Sequence, residues 1–250
     1  MSDFNRGYPR AMAAGADMSV DAGLRAFMLG VYNKVALGLV VSAALAYVTS
    51  SVPQVRDLMF RVTLDGQLVG LTGLGAVVAF APLGIVLISS MAMRNPSPRS
   101  SGLLYWSIVA LIGASLGTVV LLYTGAAIAE TFLITAIAFA GLSLVGYTTK
   151  RDLTGFGSFL VMGLVGIILA MLVNAFLHNP AIYFIVDVLG VLIFAGLIAY
   201  NTQNLKMTYY YLGGDRTQLG VATNFGALRL YLNFINLFRF LLAFSGGSRR

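Results

Sequence analysis

Cysteine is absent from all 250 residues, histidine and tryptophan occur once each, and charged side chains make up only 10% of the chain. Without cysteine there is no disulfide, no thiolate metal centre and no lipid attached through sulfur. The single histidine, His178, cannot assemble a zinc site alone, and its neighbours Asn179 and Pro180 place it in an exposed turn. The lack of charge excludes most. With 58% hydrophobic residues the chain has too little polar surface to cover a soluble globule of its size, so lipid must cover the rest.

What is present are seven apolar runs, at 27 to 51, 68 to 93, 102 to 123, 126 to 147, 155 to 176, 181 to 203 and 225 to 244. About 20 apolar residues in a helix cross a hydrocarbon core, so each run is expected to be a membrane span. The expected fold is all-α, a polytopic bundle of seven transmembrane helices. A polar arm over 1–25 precedes a membrane domain over 26–245, and a short basic tail over 246–250 follows. The arm lacks the basic, apolar and small-residue order of a cleavable signal, so the first run is expected to direct its own insertion. Gly113 and Gly117 have the spacing that lets two helix backbones approach closely, and Pro82 interrupts the second run.

The net charge of +7 does not point to nucleic acid, because the basic residues stand in ones and twos at the ends of runs rather than along a stripe. They report topology instead. Arg6, Arg10, Arg25, Arg94, Arg99, Lys150, Arg151, Lys206 and Arg216 fall on one side, against Arg56, Arg61, Arg249 and Arg250 on the other. The bias of positive charge toward the cytoplasm therefore predicts an amino terminus inside, with the basic ending favouring a last run that re-enters as the competing topology.

Strongly polar side chains within a membrane helix are costly, and each starts as a functional candidate. Lys34 and Glu130 lie close enough to run ends to reach the headgroups, and Asp152 reads as a helix amino-terminal cap. Asn174 stands in the fifth run, Asp187 and Asn201 in the sixth, and Arg229, Asn233, Asn236 and Arg239 in the seventh. The last four follow at intervals of four, three and three, which places them on one side of a helix. Asp187 and Asn201 share a face about 21 Å apart. Side-by-side packing of the last two helices would let Asn201 meet Asn233 and Arg239 reach toward Asp187. Two readings stay open: interhelical hydrogen bonds worth about 0.6–2 kcal/mol each, or a gated polar pathway between the two helices. The link between them, from about 204 to 224, is expected to be the longest internal one and carries Tyr209, Tyr210 and Tyr211 as interfacial aromatics.

At these residues the chain resembles the Bax inhibitor-1 family, the transmembrane Bax-inhibitor-motif proteins, of bacterial type. The similarity runs through Gly23-Leu24-Arg25 and Val31-Tyr32-Asn33, then Ser143 to Leu153, then Ala199-Tyr200-Asn201-Thr202-Gln203, and ends with Leu230 to Phe238. The resemblance implies seven helices with the last one central, and a pH-sensitive calcium leak tied to stress protection, framed in bacteria as ion leak across the inner membrane. It also implies aspartate where this chain has Asn201 and Asn233. Two facing carboxyls share a proton and titrate as a pair, whereas amides imitate the protonated form at every pH.

The expectation is therefore a leak-channel fold in which Asn201 and Asn233 are the gate positions, supported by Asp187, Arg229, Asn236 and Arg239, with weak or absent pH-gated flux. No cofactor or structural metal is expected, and calcium enters only as the transported ion. The alternative is a regulatory protein that conducts nothing and docks on a partner membrane protein. An enzyme is disfavoured, because neither a carboxylate pair nor a serine with a base is assembled within the runs. The expected setting is a bacterial inner membrane, crossed several times, with lipid as the constant neighbour; no oligomeric state is read from the chain.

Overall fold

A computed structural model of the chain describes residues 22–63, 67–92 and 95–245, so most of the polar arm, Arg94 and the basic tail lie outside the described residues. In chain order the elements are α1 (Ala22–Ser51), α2 (Pro53–Met59), β1 (Phe60–Val62), β2 (Leu68–Leu71), α3 (Gly73–Ala92), α4 (Pro98–Ser115), α5 (Gly117–Leu122), α6 (Gly125–Thr148), α7 (Thr154–Leu177), α8 (Pro180–Tyr211) and α9 (Arg216–Phe244). Six spans are long and apolar enough to cross a bilayer: α1, α4 continued by α5, α6, α7, α8 and α9. The second run gives α3, shorter than these six and apolar over Gly73–Ser89, so six long spans and one shorter helix stand where seven spans were expected. It stays helical through Pro82. The last helix is continuous for 29 residues, with no break of the kind a re-entrant segment needs.

Three boundaries differ from the sequence expectation. The second run does not begin as helix: Leu68–Leu71 pairs antiparallel with Phe60–Val62, Phe60 opposite Leu71. Thr72 ends this hairpin, its hydroxyl donating to the carbonyl of Met59 at 3.1 Å and accepting from Gly75 N–H at 3.0 Å. The link before the third run is shorter than expected, because Pro98 already occupies the first turn of α4. Ser97 and Ser100 form a capping box there, each hydroxyl accepting from the other's backbone N–H. The third difference is the largest. The link expected over 204 to 224 shrinks to Leu212–Asp215, because α8 continues through the three tyrosines and α9 starts nine residues early.

The last helix is the axis of the bundle. α9 packs on α1, α4, α6 and α8, and Ala227, Leu230 and Tyr231 are completely covered. The outer helices present Leu, Val and Phe outward, as lipid-facing surfaces do. Contact between helices depends on small residues where lipid already solvates the apolar side chains. A Cβ at Gly113 would lie 2.6 Å from the Cα of Ser42 on α1, and one at Gly117 would strike Thr49 and Phe60. The spacing of those two glycines thus does what it suggested.

Candidate functional site

The seam between α8 and α9 is closed at one end by a four-residue turn. Gly213 and Gly214 have φ of 57° and 90°, a conformation that favours residues without a Cβ. Asp215 then caps α9, its carboxylate accepting from the N–H of Thr217 at 2.8 Å and of Gln218 at 3.1 Å. These bonds, led by the one from Gln218, hold the carboxyl below its usual range.

The turn sets the register of the two helices. A Cβ at Gly226 would meet the Leu205 side chain, one at Gly190 would meet the Phe240 ring, and Phe194 stacks on Phe240 at 5.8 Å. Residues whose numbers sum to about 430 therefore lie level. That puts Asn201 level with Arg229, and Asn233 level with Leu197. The two amides are staggered by about one helical turn, roughly 6 Å along the axis. No hydrogen bond joins them among the described residues. They flank one seam without making the direct pair that the sequence suggested.

Their environments differ accordingly. Asn233 is buried, and its amide nitrogen has no hydrogen-bond partner. Asn201 is half-buried and its side chain is likewise unbonded among the described residues, while the hydroxyl of Thr202 beside it is fully buried and unpartnered. Asn236 donates back to the carbonyl of Leu232 on its own helix at 2.9 Å. Arg229 and Arg239 are exposed at the side of α9, so the polar stripe splits, with Asn233 turned inward and both arginines outward. Asp187 is half-buried and does not meet Arg239. Among the described residues the ion pair formed is Arg56 with Asp57 at 2.9 Å, in the α2 region and away from the seam. Among the described residues the seam thus carries two unbonded amides and no carboxylate pair.

A family model described as "Inhibitor of apoptosis-promoting Bax1" matches residues 24–250, which includes every segment just described. The chain belongs to the Bax inhibitor-1 family. It is 68% identical to an uncharacterised protein of Caulobacter vibrioides over the full length of both chains. A second relative is an uncharacterised protein of Rickettsia prowazekii, 42% identical over 92% of each chain. A third, 40% identical over 91% of this chain and 94% of its own, is the inner membrane protein YbhL of Escherichia coli.

The Bax inhibitor-1 segments that lie apart in sequence meet in the bundle. Gly146 on α6 packs so closely on α8 that a Cβ would lie 2.2 Å from the carbonyl oxygen of Ala199, and one at Gly157 on α7 would strike the Tyr200 ring. Gln203 clamps the α6–α7 link, donating to the carbonyl of Arg151 at 2.7 Å and accepting from Leu153 N–H at 2.8 Å. One turn on, buried Lys206 donates to the carbonyl of Tyr147 at 2.7 Å and lies 5.3 Å from the centre of its ring, placing a cation at the carboxyl end of α6. Asp152 accepts from Thr154 N–H at 2.8 Å just before α7, close to its expected capping role.

A second polar cluster was not singled out from the sequence. Lys34 on α1 donates to the side-chain oxygen of Asn224 on α9, and Asn224 donates in turn to the carbonyl of Pro98 and to the Ser101 hydroxyl, both at 2.9 Å. Farther along, Tyr105 donates to the carbonyl of Lys34 at 2.6 Å, and the hydroxyls of Ser42 and Tyr231 share a hydrogen bond at 2.7 Å. Lys34 therefore binds protein rather than reaching for headgroups. Asn224 was assigned to the link, yet it precedes Tyr231 and Phe238 by one and two heptads, in phase with the buried stripe of α9. That phase was the available signal.

Proposed function

We propose that the chain is a multi-pass protein of the bacterial inner membrane whose α8–α9 seam is a cation-leak pathway held near its closed state at every pH. The observation that carries this reading is the buried Asn233 amide left without a partner, on a seam where Asn201 is also unbonded among the described residues. A purely structural asparagine in a membrane helix gains its stabilisation by bonding a neighbouring helix, and this one does not. The inner-membrane setting follows the name of YbhL, a relative at 40% identity.

The resemblance implies carboxyls where Asn201 and Asn233 stand. An aspartate pair at this stagger would interact through low dielectric, one group rising in pKa and the charge of the seam changing with pH. Amides have no such transition. They still offer oxygen to calcium, but without negative charge the affinity falls, and Arg229, level with Asn201, opposes a cation.

The test is calcium and proton flux in proteoliposomes between pH 5 and 8, comparing the chain as it is with N201D/N233D. A low, flat flux that becomes steeply pH-dependent in the double variant is expected. Steep pH dependence in the unaltered chain overturns the proposal. If neither form conducts and a membrane protein co-purifies with both, the docking role replaces it.

A further inference from the structure

A groove of about 530 Å³ opens sideways between α1 and α6, lined by none of the α8 and α9 residues used in the reading above. Its chemistry changes with depth. Arg25 and Tyr147 stand at its outer end, where α1 begins and α6 finishes; Ser143 lies one turn, about 6 Å, deeper on α6. Below it the walls are apolar: Met28 and Leu29 on α1 face Ala140 on α6, and Tyr32 and Phe139 close the floor edge to face at 6.3 Å.

Two groups in it have no partner among the described residues. Arg25 is exposed and makes no ion pair or hydrogen bond among the described residues. The hydroxyl of Ser143 is buried and unbonded, although its residue is only 6% exposed. A serine within a helix ordinarily bonds the carbonyl four residues back, as Thr135, Thr148, Ser158, Thr208 and Thr223 do here. Ser143 departs from that habit at the wall of an open groove. Its oxygen is covered by protein in this conformation, and rotation about Cα–Cβ turns the donor into the groove.

We propose that this groove binds an anionic diacyl phospholipid from the leaflet at the amino-terminal end of α1. The three depths match three parts of such a molecule. The phosphate and its anionic headgroup meet Arg25, in a region where Lys206 and the link residues Lys150 and Arg151 add positive charge. A glycerol ester carbonyl accepts from the Ser143 hydroxyl one turn below, once that hydroxyl has rotated toward the groove. An acyl chain lies on Met28, Leu29 and Ala140 down to the Tyr32–Phe139 floor. A zwitterionic lipid fits the lower two levels but loses the net attraction at the first.

The test uses tryptophan fluorescence quenched by lipids brominated on their acyl chains, in bilayers of matched composition. Trp106→Phe removes the one native tryptophan, and Leu29→Trp puts a reporter at the groove wall. Brominated phosphatidylglycerol is expected to be favoured over brominated phosphatidylcholine at that reporter by on the order of fivefold, the effect of one basic residue near a membrane surface. Arg25→Gln abolishes the preference. Ser143→Ala weakens binding of both lipids while keeping their ratio. A reporter at Leu172→Trp, exposed on α7, shows no preference. Equal quenching by the two lipids at Leu29→Trp overturns the proposal, as does a preference that survives Arg25→Gln, or quenching by neither lipid, which means protein fills the groove. Retention of phosphatidylglycerol by the detergent-purified chain carrying only Arg25→Gln, read by native mass spectrometry, guards against a reporter that disturbs folding: loss relative to the unaltered chain supports the site, and unchanged retention refutes it.

Discussion

α7 and α9 are neighbours of the same helix, α8, and both are long enough to cross the membrane, yet they are built on opposite plans. α7 is the most apolar span, and only 17% of its apolar stretch is buried inside the protein; α9 is among the least apolar, and 56% of its stretch is buried. In water that order would be reversed. In a bilayer lipid solvates Leu and Phe as well as another helix does, so apolar side chains give no preference for the centre. What holds a helix in the middle is close packing and hydrogen bonding, and α9 carries the groups for both: Asn224, Tyr231 and the small Gly226 and Ala227. α7 keeps one buried polar side chain, Asn174, and spends it on the turn to α8, accepting from Asn179 N–H at 2.9 Å and donating to its carbonyl at 3.1 Å.

The comparison breaks first at glycines. Gly113→Leu forces α1 from α4, whose contact α9 shares, and is expected to cost about 3 kcal/mol or more. Folded, monodisperse protein in detergent should largely disappear, while Gly166→Leu on α7, where nothing lies within 4 Å of a Cβ, should leave yield and Tm unchanged. Equal damage from both would mean that α7 is not an outer helix.

Next in size is Asn224→Leu, which leaves the Lys34 ammonium and the Ser101 hydroxyl without their partner. About 2–3 kcal/mol of destabilisation is expected by reversible unfolding in mixed micelles. Adding Lys34→Met should recover a substantial part of that loss, because an apolar pair leaves no ammonium unsatisfied. A double variant worse than either single one would show that the pair is not coupled as its hydrogen bond suggests.

On α7 the matching change is Asn174→Ala. It removes two bonds from one turn and should cost about 1 kcal/mol, raising hydrogen exchange at Asn179 without altering the packing of α9. A global loss of structure would contradict an independent, peripheral α7.

The smallest effect concerns acid. The Asp215 carboxyl is held low by the α9 backbone, so the stabilisation it contributes is present above its unfolded-state pKa and is lost as pH falls through the lower folded-state value. Exchange at Thr217 and Gln218 should speed up in that acidic window, and Asp215→Ala should show the faster rate with no pH dependence. α7 is capped by Leu153 without a side-chain bond of its own, and Asp152 supplies the nearby carboxylate instead, also lowered by its bond with Thr154. Its first turn should loosen in the same direction.

Much of the architecture was legible because apolar run length and polar interruption are local. The runs at 126 to 147 and 155 to 176 match α6 and α7 to within one residue at each end. The errors fell where a tertiary partner overrides local character. Leu68–Leu71 is as apolar as a helix start, but Phe60–Val62 pairs with it and Met59 meets Thr72. The span from 204 to 224 reads as polar link, yet it is helical because Lys206, Thr208 and Asn224 find partners on α6, α8 itself and α4. Of the site, spacing put Arg229, Asn233, Asn236 and Arg239 on one side of α9, but burial divides them, and neither that division nor the one-turn stagger between the amides was readable, since both depend on how α9 packs and how tightly Gly213 and Gly214 close the turn.

Sequence by itself determined that the chain lives in a membrane and where most of its apolar helices lie, because these follow from the transfer of side chains between water and hydrocarbon, a property each segment carries alone, and its motifs showed which family it resembles. Only the tertiary structure decided that the least apolar span forms the axis, that Lys34 bonds Asn224, that Asn201 and Asn233 stand a turn apart and that Ser143 lines a groove. Those depend on which backbones can approach each other, and the approach is set by pairs of residues, such as Gly113 with Ser42 and Gly146 with Ala199, that are distant in the chain.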